Sequence, residues 1–110
     1  MFKKILFIAF LSVSSIGFSQ NNVEKKTIVG LSAAPNPFTN TTKISFTANT
    51  NTAVFFTVKN VLGKTVYKKT MKAIKGKNTI PFYKNNLASG MYIYSIRDNR
   101  KTTSKRFVIK

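Results

Sequence analysis

From Lys43 to Ile109 the apolar residues recur at every second position, in short runs separated by polar, turn-forming residues. This alternation constrains the chain more than any other feature. Successive strand residues point to opposite faces, so a period of two lays one apolar row on one side of a sheet. Ile44 and Phe46 share one parity, with Lys43, Ser45 and Thr47 on the other. Val54, Phe56 and Val58 alternate with Phe55, Thr57 and Lys59. Ile80 with Phe82, then Tyr92, Tyr94 and Ile96, then Phe107 and Ile109 continue the pattern. No segment after the N-terminal leader holds a helical period for more than about two turns. Six or seven short strands at roughly ten-residue spacing predict an all-β fold, a two-sheet antiparallel β-sandwich.

The breaks between runs carry their own chemistry. Pro35 and Pro37 exclude both helix and ladder pairing, and Asn36 between them is a turn former, so Pro35-Asn36-Pro37-Phe38 reads as a rigid bend that delivers Phe38 to the core. Gly63, in Asn60-Val61-Leu62-Gly63-Lys64, suits a tight hairpin turn closed by a bulge. Asn49–Thr52 and Lys84–Ser89 are loops, Gly76 and Gly90 mark turns, and Asp98-Asn99-Arg100-Lys101 is a further turn. Pro81 cannot donate to a ladder, which assigns the strand Asn78–Phe82 to a sheet edge or ends it there. In Thr65–Met71, Val66 is the expected inward residue. Tyr67 and Met71 lie on the opposite parity, which leaves that strand's register open.

The N-terminus reads differently. Lys3 and Lys4 precede the apolar run Ile5–Leu11, and Gly17 and Ser19 flank Phe18 ahead of Gln20. That is the pattern of a secretory signal peptide over residues 1–19, too short to serve as a permanent span. Residues 20–31 form a short polar spacer, with one short strand expected at Thr27-Ile28-Val29, and the β-sandwich domain takes up residues 32–110. The chain contains no cysteine, so neither a disulfide nor a cysteine-linked lipid anchor is available, and stability rests on an apolar core and a well-paired sheet. From Gln20 onward there are 17 basic residues against Glu24 and Asp98, a net charge of +15 that favours anionic partners.

The residues needed for catalysis are scarce. There is no His and no Cys, and the two acids lie in the spacer and in a turn. General acid–base chemistry, transition-metal ligation and nucleophilic catalysis lack their usual side chains, and no glycine-rich phosphate loop is present. The sequence therefore predicts a non-catalytic protein with no cofactor and no metal.

Read in order, five segments form a pattern. Pro35-Asn36-Pro37-Phe38 is followed by Val58–Val66 with its Leu62-Gly63-Lys64 turn, by Gly76-Lys77-Asn78-Thr79-Ile80, by Leu87-Ala88-Ser89-Gly90-Met91-Tyr92-Ile93-Tyr94, and by Lys105-Arg106-Phe107-Val108-Ile109-Lys110. Over residues 32–110 the chain resembles the type A C-terminal sorting domain of proteins exported by the type IX secretion system. The resemblance implies an immunoglobulin-like sandwich that folds in the periplasm. It is then recognised there by the outer-membrane translocon and exported to the cell surface or medium, where a surface peptidase commonly removes it. It further implies that cargo is released or joined to anionic lipopolysaccharide.

By the same resemblance the sorting-motif residues are Pro35, Asn36, Pro37, Phe38, Gly63, Lys64, Leu87, Gly90, Tyr92, Lys105, Phe107, Val108, Ile109 and Lys110. On backbone and burial grounds alone, Gly63 and Gly90 are turn glycines, Tyr92 and Phe107 are core residues, and Lys105, Arg106 and Lys110 are a solvated face. Members of the family carry a large cargo where this chain has about twelve polar residues. That leaves open a small stand-alone surface protein or a remnant. An alternative function is a cationic binding module for anionic glycan, lipopolysaccharide or nucleic acid, with Phe55 and Ile93 as exposed contacts. Most aromatics fall on the inward parity, which disfavours nucleic acid.

Overall fold

The computed structural model describes residues 27–110; the expected signal peptide and residues 20–26 of the expected spacer lie outside the described residues. Seven strands follow one another: β1 (Ile28–Ala34), β2 (Thr41–Ala48), β3 (Thr52–Asn60), β4 (Thr65–Ala73), β5 (Gly76–Tyr83), β6 (Gly90–Arg97) and β7 (Thr102–Ile109). They form two antiparallel sheets, ordered β1-β2-β5 and β4-β3-β6-β7, and no helix occurs among the described residues. The chain changes sheet between β2 and β3, between β4 and β5, and between β5 and β6. This is the Greek-key wiring of an immunoglobulin-like sandwich, with the fourth strand paired to β3.

The alternation predicted from sequence is the alternation observed. Ile44, Phe46, Val54, Phe56, Val58, Ile80, Phe82, Tyr92, Tyr94, Ile96, Phe107 and Ile109 are all buried in a single core between the sheets. Pro81 lies on β5, an edge strand, where its missing N–H costs no ladder bond. Strand β1 is longer than the short strand expected at Thr27–Val29. It runs to Ala34 along β2 with a bulge between Val29 and Ser32, and buries Ile28 and Leu31.

Strand β4 resolves the register left open by its sequence. Tyr67 pairs with Val58 and Met71 with Val54, so Tyr67, Met71 and Ala73 lie on the core side of β4. Val66 sits where the pairing slips between Val58 and Lys59. This bulge lets it pack against the core although its parity is opposite, so Val66 is a bulge residue rather than the regular inward one. Tyr67 places its ring 5.3 Å from Phe82 and 5.9 Å from Phe56, in edge-on contact with both.

Phe107 is the hub of the aromatic core. Its ring lies 5.1 Å from Phe38, 5.4 Å from Phe82, 6.1 Å from Tyr92 and 5.2 Å from Tyr94. It thereby joins residues from both sheets and from the Pro-Asn-Pro bend. Aromatic pairs at these separations add to the burial energy of each ring.

A clipped end of the sandwich as the candidate functional site

The strand registers bring the motif segments together. Asn60 pairs with Tyr92, Tyr92 with Phe107, Met91 with Val108 and Gly90 with Ile109. The β3–β4 turn, the start of β6 and the end of β7 therefore lie at one end of the larger sheet. The smaller sheet contributes the start of β2 and the end of β5, where Thr41 pairs with Tyr83. The Gly76 segment pairs with Ala48 and lies at the opposite end, beside the Asp98 turn. Four of the five motif segments thus share one end of the molecule, and the fifth does not.

The Pro35–Phe38 bend closes this end. Asn36 donates its side-chain Nδ2 to the Arg106 carbonyl at 3.2 Å and accepts the Val108 N–H on Oδ1 at 3.0 Å. Phe38 then donates its N–H to the Val108 carbonyl at 3.0 Å and accepts the Lys110 N–H at 2.8 Å. Both X-Pro bonds of the bend, Ala34-Pro35 and Asn36-Pro37, are cis. The two prolines lack the N–H that a strand would offer to β7. Asn36 replaces it, because a side-chain amide carries the same donor and acceptor pair as a peptide group. Behind the bend, Thr42 is buried and donates its hydroxyl to the Pro35 carbonyl at 2.7 Å.

The neighbouring loops are fixed with the same economy. In the β3–β4 turn the Asn60 N–H donates to the Lys64 carbonyl at 3.0 Å. Asn60 Oδ1 accepts from the N–H groups of Leu62 at 2.9 Å and Lys64 at 3.0 Å. Gly63 sits at φ +87°, the left-handed region that closes such a turn. The turn leaves Val61 and Leu62 64% and 87% exposed. Leu87 packs against the core, and Tyr92 donates its hydroxyl to the Ala88 carbonyl at 2.7 Å. A tyrosine near the start of the sixth strand, bonded back to the loop before it, is the corner device of immunoglobulin-like folds. Gly90, at φ +147°, turns the chain from that loop into β6.

Of the residues singled out from sequence, Phe38, Tyr92, Phe107 and Ile109 are buried, Leu87 is half-buried, and Pro35, Asn36, Pro37, Gly63, Lys64, Gly90, Lys105, Val108 and Lys110 are exposed. Sequence reasoning missed Asn60 and Thr42, the side chains that hold the turn and the bend. It also missed the exposed Val61, Leu62 and Met91 that surround the motif residues. The signal for Asn60 was present: an Asn three residues before a turn glycine favours local side-chain capping. The end offers apolar tips, backbone edges and lysines, a constellation suited to docking.

Among the described residues no group of metal-ligating side chains is assembled, and no helix is long and apolar enough to cross a membrane. No curated protein matches the chain. A family model described as the Secretion system C-terminal sorting domain matches residues 32–110, which include Pro35–Phe38 and every other segment of the clipped end. The chain belongs to the type IX secretion C-terminal sorting domain family, a targeting rather than a catalytic family whose members are exported to the cell surface or medium.

Proposed function

We propose that the clipped end of the sandwich is the export signal, and that the outer-membrane translocon of the type IX system reads it in folded form. The observation that carries this reading is the clip itself. Asn36 and Phe38 bond to Arg106, Val108 and Lys110, residues about seventy positions away in sequence, so the bend and the final strand make one surface only after folding. An unfolded chain carries the same motifs but not that surface. The signal peptide delivers the chain to the periplasm, where β7 closes the sandwich. The translocon then docks on the exposed tips Val61, Leu62 and Met91 and the lysines beside them. The system's surface peptidase acts on the chain ahead of Ile28, because β1 is hydrogen-bonded into the sheet from that residue on.

The test is a reporter placed between a signal peptide and residues 27–110, expressed in a host with this secretion system. The fusion is expected in the medium or at the surface. The same fusion with Phe107→Ala, which empties the aromatic hub, is expected to stay in the periplasm. Equal export of both, with the variant shown to be unfolded by circular dichroism, would mean that the translocon reads linear sequence.

A further inference from the structure

The two outer faces of the sandwich differ in charge, and the difference is not needed for the export reading. On the smaller sheet the solvent side of β2 and β5 carries Lys43 and Lys77. On the larger sheet it carries Lys59, Lys68, Lys72, Arg97 and Arg106, spread over all four strands. The sole acid of the described residues, Asp98, is committed to the N–H groups of its own turn.

The centre of this face is a shallow groove of about 600 Å³, bordered by Phe55, Thr57, Lys59, Lys68, Ser95 and Arg97. Its floor is a row of hydroxyls, because Thr57 pairs with Ser95 and Ser95 with Ser104, the last two oxygens 2.7 Å apart. Arg97 is already positioned, with its guanidinium 4.8 Å above the Phe55 ring. A cation held in place over a hydroxyl floor, as Arg97 is, loses little entropy on meeting a charged partner.

We propose that this face binds an acidic polysaccharide. A row of Ser and Thr hydroxyls hydrogen-bonds sugar hydroxyls, and the flanking Lys and Arg meet carboxylates or sulfates. Lys59 and Arg106 stand two strands apart in one row, about 10 Å, which suits every second carboxylate of a polymer charged on each sugar. Single-stranded nucleic acid asks for several free aromatic platforms. Here Phe55 is covered by Arg97, and Phe56, the other ring bordering the groove, is buried in the core.

The experiment measures binding of the purified full chain to immobilised polygalacturonate at low salt, with neutral dextran and single-stranded DNA as parallel probes. Polygalacturonate is retained and dextran is not, and the affinity falls as salt screens the charges. The double variant Lys59→Gln/Arg97→Gln binds about fivefold or more weakly. Lys43→Gln/Lys77→Gln, with the same change in net charge on the other face, stays within about twofold. Thermal melts of both variants establish that each is folded. Equal losses from the two variants would reduce the effect to net charge and overturn the proposal, as would no loss from the first. Tighter binding of DNA than of polygalacturonate, lost with the same variant, would assign the face to nucleic acid instead.

Discussion

Three side chains at the clipped end have consequences that can be measured one at a time. Phe107 is fully buried and touches four other rings, so Phe107→Ala removes both its burial and its ring contacts. Chemical denaturation should show a loss of about 3–5 kcal/mol, enough to unfold a domain of marginal stability. Tyr92→Phe keeps the ring in the core and leaves the Ala88 carbonyl without its partner, for a cost of about 1–3 kcal/mol by the same assay. Asn36→Ala removes two exposed hydrogen bonds to β7 and should cost about 1–3 kcal/mol, with faster amide exchange at Val108 as its specific signature. Asn36→Asp should fall between the two, since a carboxylate still accepts the Val108 N–H but cannot donate to the Arg106 carbonyl.

At the scale of elements, the Asp98 turn sets the acid limit of stability. Burial on its own would raise the Asp98 carboxyl, but the N–H groups of Lys101 and Arg100 and the Thr27 hydroxyl favour its charged form and hold it below the ordinary carboxylate value. The carboxylate therefore contributes fully above the pKa of an unfolded Asp, about 3.9, and its contribution is lost as the pH falls through the lower folded value. The melting temperature should be flat from about pH 7 to 5 and drop below about pH 4, and Asp98→Asn should flatten the drop while lowering the plateau.

Strand β1 makes a second prediction at this scale. Limited proteolysis should cut ahead of Ile28 and spare Ile28–Ala34, whose backbone is committed to β2.

The elements also show which parts of the fold the sequence encodes locally. Period-two alternation set the inward rows of β2, β3, β5, β6 and β7, because each row follows from adjacent residues alone. The β4 register did not follow, because a single bulge at Val66 is determined by pairing with β3 rather than by the strand's own pattern. Asn36 was legible as a turn former but not as a surrogate peptide. That role needs Arg106 and Val108 beside it, and the apposition exists only in the folded sandwich. For the same reason the ordered motifs pointed to a family, but did not reveal that four of them share one end and the Gly76 segment the other.

Taken whole, the molecule has two ends and two outer faces, and they divide the functions assigned to it. One end gathers the motif segments and the exposed apolar tips, and the face of the larger sheet gathers the cations. The opposite end also carries exposed apolar residues, Val29 and Ile74, but has neither the Pro35–Phe38 clip nor the end of β7. This makes it a matched control. The most direct measurement is therefore the ratio of exported to periplasmic reporter for two double variants of the fusion to residues 27–110. Leu62→Asp/Met91→Asp alters the clipped end, and Val29→Asp/Ile74→Asp alters the other. If the clipped end is what the translocon reads, the first variant melts close to the wild type yet remains periplasmic, and the second is exported normally. Normal export of the folded first variant, or equal retention of both, would contradict the account.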